Sequence, residues 1–240
     1  MNALITGVSK GLGLKTTESL LKNGWTVYGV SRSKTEELGG LLVQYPDKLK
    51  WLQFDLGNSG KIRQIIFKDW IGVNTPINGL VNNAAIAYDD LVTNLNLNSL
   101  ESMYRVNVFS PMILTKLAIR QMLLHHISGS IVHVSSVSVH TGYKGLSMYA
   151  STKGALEAFS KNTAREWGEI GVRSNCLVAG FMKTEMVSSL TEDQINRIYQ
   201  RTSLKKPVDL NSVGETIRFL LSEDAKSITG QNIFVDCGTI

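Results

Sequence analysis

The sequence predicts a doubly wound α/β fold: a single domain over residues 1–240, with a seven-stranded parallel sheet flanked by helices. Three observations carry this prediction. Seven short apolar runs recur along the chain, segments of helical period separate them, and no internal repeat, low-complexity tract or Pro/Ser-rich linker breaks the series. A hydrophobic content of 43% over 240 residues is enough for a substantial core.

The runs ALIT, TVYGVS, LKWLQF, INGLVNN, GSIVHVSS, VRSNCLV and QNIFVD have the continuous apolar character of strands buried on both faces. Helical period marks the intervening segments Gly11 to Lys22, Leu100 to His126, Tyr149 to Gly168 and Leu210 to Leu221. Strand and helix alternating in this way imply parallel neighbours joined by right-handed crossovers. Residues 182–206, MKTEMVSSLTEDQINRIYQRTSLKK, depart from the rhythm. This long polar and amphipathic insertion follows the sixth strand, where a lid over a cleft belongs.

Composition narrows the partners. The net charge is +5 and the basic residues are scattered, without a Lys/Arg block or interleaved aromatics, so an anionic small molecule explains the surplus better than nucleic acid does. No run of 18 apolar residues occurs, and MNALITG lacks the basic region and cleavage site of a signal peptide, so the expectation is a cytoplasmic protein without a membrane partner. Cys176 and Cys237 stand apart from any second Cys or His at ligand spacing. Both are expected to be buried thiols, and no metal site is expected.

The stretch ITGVSKGLG, residues 5–13, follows the first strand and opens the first helix. Gly7, Gly11 and Gly13 remove Cβ atoms where the chain must turn and where backbone N–H groups must approach an anion; Ser9, Lys10 and Leu12 complete the turn. A strand, a glycine turn and a helix in this order form the context of a dinucleotide fingerprint. The second strand ends in GVSRS, with Ser31 and Arg32 where an NAD site usually places an acid for the ribose 2′-hydroxyl. A carboxylate would repel a 2′-phosphate, whereas Arg32 and Lys10 could flank one, so NADPH is expected ahead of NADH. The plainer reading of both cations is a solvated loop charge.

In YASTK, residues 149–153, Tyr149 and Lys153 lie one helical turn apart on one face. Such a pair is common on solvated helices. Its company here is FDL at 54–56, NNAA at 82–85, VN at 106–107, VSS at 134–136 and AGFMKTEM at 179–186. Together with the TGxxxGxG turn, these motifs resemble the short-chain dehydrogenase/reductase family over nearly the whole chain. NNAA, the YASTK helix and SITGQNIFVDCGT look most like its 3-oxoacyl-(acyl-carrier-protein) reductases.

The resemblance implies a Rossmann-type fold and NADPH-dependent reduction of a ketone. It makes Tyr149 the general acid, with the Lys153 ammonium lowering its pKa from the usual value near 10. It makes Ser136, chosen over Ser135 on the family spacing, the hydroxyl that polarises the carbonyl. Asn107 would help hold a water linking Lys153 to solvent, and Lys153 would also bond the nicotinamide ribose. Asp55 and Leu56 would lie at the adenine, Asn83 and Ala84 under the adenosine ribose, and Gly180, Met182 and Thr184 at the carboxamide. Two departures are Ala85, where the family has the glycine of NNAG, and Ala179, where it has the proline of PG.

The resemblance further implies a homotetramer or homodimer, packed through the helices near 100–126 and 149–168 and the last strand. Family members that receive a carrier protein carry basic residues just before the fifth and sixth strands; Ile127 and Ile170 stand at those positions here. The alternatives are reduction of a sugar, polyol or other small polar ketone, and a non-catalytic NADP-binding sensor.

Overall fold

The computed structural model describes residues 1–184 and 191–240. Strands β1 (Asn2–Thr6), β2 (Thr26–Ser31), β3 (Leu49–Gln53), β4 (Gly79–Asn82), β5 (Ser130–Ser136), β6 (Arg173–Ala179) and β7 (Asn232–Val235) fall on the seven apolar runs. They form one parallel sheet in the order β3-β2-β1-β4-β5-β6-β7. Chain order reverses between β1 and β4. A cleft therefore opens beyond the carboxyl ends of these strands, where ligands of such sheets bind.

The helices are α1 (Gly11–Lys22), α2 (Glu36–Gln44), α3 (Leu97–Tyr104), α4 (Ser110–Leu124), α5 (Ser147–Trp167), α6 (Glu192–Arg201) and α7 (Leu210–Leu221). Alternation along the strands divides the core in two. Ala3, Ile5, Val27, Val81 and Val134 pack with Leu20 of α1, Leu38 of α2 and Ile217 of α7. Leu4, Tyr28, Leu80 and Ile131 face the other way, onto Leu114 and Met122 of α4 and a π-wound segment, Arg63–Ile71. The expectation that every strand is buried on both faces fails at β3 and β7, because each is an edge strand and several of its residues are half-exposed.

The single helix expected from Leu100 to His126 is three pieces, α3, a π turn over Arg105–Phe109, and α4. Pro111 explains the break. It has no N–H to give the carbonyl of Asn107 four residues earlier, so the regular ladder cannot run through. Within the expected lid, residues 185–190 lie outside the described residues, and α6 follows behind a capping box formed by Thr191 and Gln194. Among the described residues no helix is long and apolar enough to cross a membrane, and no cluster of His, Cys, Asp or Glu could hold a metal. Cys176 is buried and Cys237 half-buried, both as free thiols.

Candidate active site

A cavity of about 960 Å³ runs along the carboxyl ends of β1, β2, β4, β5 and β6. Its wall includes every residue expected at the site except Asn107.

At one end lies the glycine turn. Gly7 has φ +77°, and its N–H bonds the Val30 carbonyl at 2.7 Å. A Cβ on Gly7 would meet Asn83 Nδ2 at 2.8 Å, and one on Gly13 would stand 2.1 Å from the Gly7 carbonyl oxygen. Asn83 fastens the turn through its amide, which donates to Thr6 O at 2.9 Å and Gly7 O at 3.3 Å; the N–H groups of Asn83 and Ala84 bond Thr6 Oγ1. Gly11, at φ +57°, is different. The nearest atom to its missing Cβ is Thr184 Cγ2 across the cavity, at 3.7 Å. The helix behind it has no acidic residue in its first turn, and its N-cap residue, Lys10, offers no side-chain acceptor. Helix N–H groups thus face the cavity with the positive end of the dipole behind them, and the residues fit a pyrophosphate.

Beyond the turn, Ser31, Arg32, Asp55 and Leu56 line the wall. The Ser31 hydroxyl is engaged within the protein, donating to Ser33 O at 2.8 Å and accepting from Trp51 Nε1 at 2.8 Å. Arg32 is exposed, with no partner for its guanidinium among the described residues. An acid, absent from the end of β2, nonetheless stands in this wall: Glu37, from the first turn of α2.

At the other end lie Ser136, Tyr149 and Lys153. Ser136 ends β5 and caps the short 3-10 turn after it, accepting the Ser138 N–H at 3.2 Å. Its own proton remains available to a carbonyl oxygen. Ser135 is committed elsewhere, donating to Glu157 Oε1 at 2.5 Å. Lys153 is buried and donates to Val134 O at 2.8 Å, while its Nζ lies 5.7 Å from the centre of the Tyr149 ring. Burial lowers the Lys153 pKa to about 8. The expected lowering at Tyr149 is not found. Burial, helped by the Asp89 charge, pushes the phenol well above its usual value and keeps it protonated.

Asn107 sits behind the wall, fully buried. Its amide donates to Ile86 O at 2.8 Å and to Thr152 Oγ1 at 3.1 Å, and its Oδ1 accepts the Ile86 N–H at 2.9 Å. The side chain fixes the loop after β4 to α5, so what Asn107 can offer toward the site is its carbonyl, deprived by Pro111 of the usual helical donor. Gly180, Met182 and Thr184 line the wall after β6. Ala179, in place of the family's proline, is the buried last residue of β6, and the next N–H, that of Gly180, bonds Val235 O at 3.0 Å. Sequence reasoning did not single out Asp89, Tyr143, Lys144, Arg197 and Arg201, which also line the cavity. Arg197 and Arg201 could have been noticed from their spacing of four on an amphipathic helix.

An open parallel sheet whose switch-point cleft joins a glycine-lined helix start to a Ser, Tyr and Lys cluster defines a dinucleotide-dependent oxidoreductase. The chain belongs to the short-chain dehydrogenase/reductases: residues 7–239 match the family described as enoyl-(acyl carrier protein) reductase. It is 31% identical to carbonyl reductase (NADPH) 2 of Sus scrofa, over 99% of this chain and 96% of that one. It is 30% identical to the 3-oxoacyl-(acyl-carrier-protein) reductase of Buchnera aphidicola, over 98% and 96% of the two chains. Among solved structures it resembles the gluconate 5-dehydrogenase of Burkholderia cenocepacia in complex with NADP and tartrate. That likeness has a TM-score of 0.91 at 25% identity, covering 99% of this chain and 94% of that one.

Proposed function

We propose that this protein reduces a ketone to a secondary alcohol with NADPH. The observation that carries the reading is the single cavity in which the Ser136 hydroxyl and the Tyr149 phenol share a wall with the Gly7–Gly13 turn. Gly7, Gly11, Gly13 and Asn83 would hold the dinucleotide, Arg32 its 2′-phosphate, and Gly180, Met182 and Thr184 the nicotinamide. The cofactor would supply the hydride. Ser136 donates its free proton to the substrate oxygen and polarises the carbonyl, and Tyr149, kept protonated by burial, delivers the proton that the forming alkoxide needs. Lys153 supplies positive charge beside the phenol, and Asn107 positions the loop and helix that frame it. The NADPH and NADP in the names of the pig reductase and the Burkholderia complex support this choice of cofactor.

The names of the relatives divide the substrates between 3-oxoacyl thioesters and other ketones, including a sugar acid. A panel assay with NADPH decides between them: an acetoacetyl thioester, a keto sugar, a keto acid and a neutral diketone. Turnover of any of them excludes the sensor reading; NADPH binding without turnover of any would establish it.

We further propose a homodimer or homotetramer. Phe109, before α4, and Phe234, on the edge strand β7, are 48% and 41% exposed, which suits faces covered by other copies. Light scattering at micromolar concentration tests this, and a strictly monomeric mass would reject it.

A further inference from the structure

The wall of the cavity formed by α6 has a feature that ketone reduction does not use. Gln194, Arg197, Ile198 and Arg201 follow one another at helical spacing and line the cavity together. The helix is placed there by Tyr199, whose ring packs edge-on against Phe181, 5.8 Å away, in the loop that also carries Gly180 and Met182. Arg197 and Arg201 are therefore two guanidinium groups one turn apart, directed at the same space. Like charges at this spacing destabilise a helix unless something neutralises them.

Elsewhere on the helices, Lys15 and Lys22 pair with Glu18 and Arg218 with Glu215, whereas Lys116 and Arg120 on α4 and Lys161 and Arg165 on α5 stand four apart on exposed faces without an ion pair among the described residues. Arg197 and Arg201 differ from these in lining the cavity. Arg197 and Arg201 have no ion-pair partner among the described residues. Lys144, in the loop before α5, and Lys183, beside Met182, add further cations to the same cavity, which Lys10, Arg32 and Lys153 also line. The acid Asp89 lines the same cavity as Tyr149, and its charge adds to the raising of the phenol's pKa.

From this geometry we infer that the ketone carries an anionic group, a carboxylate or a phosphate ester, bound between Arg197 and Arg201 with Lys144 contributing. Guanidinium groups suit such groups because each can give two parallel hydrogen bonds to two oxygens. The inference rests on the reductase reading above.

The test uses matched substrates that differ in charge but little in shape. Keto acids with the carboxylate two to six bonds from the ketone are compared with their primary amides, and acetoacetyl-4′-phosphopantetheine with acetoacetyl-pantetheine. The first pair probes a carboxylate and the second a phosphate. In one pair or the other the anion should be preferred by about ten- to a hundredfold in kcat/KM, the range for hydrogen bonds to charged groups. The preference should lie mainly in KM and shrink with added salt, because both arginines are exposed.

In the double variant Arg197→Gln, Arg201→Gln the preference should fall to within about threefold, and Arg→Lys at both positions should restore part of it. Direct NADPH titration of the same variants identifies the anion that the pair binds. A loss of NADPH affinity matching the loss of activity would assign the arginines to the cofactor and overturn the inference. So would wild-type turnover of a neutral diketone with no preference in either pair, a result that leaves the reductase reading standing. Failure of the wild type on every ketone, the diketone included, would remove both.

Discussion

Lys153 stands with its ammonium 5.7 Å from the centre of the Tyr149 ring and spends one hydrogen bond on the carbonyl of Val134, at 2.8 Å. The lysine is tied to the strand that ends in Ser136, so this bond, together with that of Ser135 to Glu157, joins the strand bearing the hydroxyl to the helix bearing the phenol. Burial acts on the pair in one sense, since it favours the neutral form of each group. A neutral phenol is the form that can donate a proton, which suits the reductive direction.

Tyr149→Phe should lower kcat by at least about a hundredfold, the scale of a lost general acid, and should leave NADPH binding within about threefold. Steady-state kinetics with a cofactor titration check this. Turnover near the wild-type rate would show that the proton comes from elsewhere.

Lys153 gives a pH dependence of stability with a definite sign. Its pKa falls from the ordinary 10.5 to about 8 on folding, so between these values the unfolded chain binds more protons than the folded one. Stability from this residue therefore rises with pH across that window, and the cost of burying the charge is borne in full below about pH 8. Urea unfolding of wild type and Lys153→Met without cofactor should show a difference that moves in favour of the wild type from pH 8 upward. The raised pKa values of Tyr149 and Cys176 act in the opposite sense at high pH but cancel, to first order, in the difference. A difference independent of pH would count against a strained ammonium.

At the adenosine end, Arg32 and Glu37 should act in opposite directions. Arg32→Ala is expected to weaken NADPH by about 1.5–3 kcal/mol, the range for hydrogen bonds to charged groups, and to change NADH little. Glu37→Gln removes a carboxylate from the same wall and should strengthen NADPH relative to NADH. Fluorescence titration with both cofactors is the measurement. Equal changes for the two cofactors would mean that neither side chain senses the 2′-phosphate.

Gly13→Ala should damage the turn itself. The added Cβ would stand 2.1 Å from the Gly7 carbonyl oxygen and 2.6 Å from Asn83 Nδ2, and a backbone atom cannot rotate out of the way as a side chain can. A loss of about 1–3 kcal/mol in stability is expected, as for overpacking in general, with weakened dinucleotide binding. Gly40, which has nothing within 4 Å of an added Cβ, provides the control, and Gly40→Ala should be tolerated.

Ile127 and Ile170 bear on the thioester reading. Ile127 is partly buried against the core and Ile170 is 42% exposed, so neither position supplies the positive charge that steers an acidic carrier protein. An acetoacetyl thioester, if reduced, should gain less than about tenfold in kcat/KM when linked to a carrier protein. A larger gain that erodes with salt would restore the carrier-protein assignment.

The sequence by itself determined where the strands lie and that they run parallel, because short apolar runs alternating with segments of helical period imply strand-helix-strand crossovers; their order in the sheet came from the structure. The glycine turn was legible as well, and Gly7 and Gly11 occupy positive φ, whereas Ser136, Tyr149 and Lys153 were singled out only through the family resemblance; the structure places all three on one cavity wall. Less legible were the elements whose period is irregular. Across the π-wound segment and the residue before it, the buried positions are Ile62, Ile66, Phe67 and Ile71, a widening pattern that sequence reasoning did not single out as a helix. The break at Asn107 depended on Pro111, whose missing N–H acts one turn earlier in the chain.

What only the tertiary structure decided is which charges share a space. Glu37 joins the wall that Arg32 lines, Asp89 shares the cavity with Tyr149, and Arg197 and Arg201 line it from a helix whose Tyr199 packs on Phe181. Local sequence cannot disclose these relations. Electrostatic interaction depends on separation and burial in space, and both are set by how elements distant in the chain pack together.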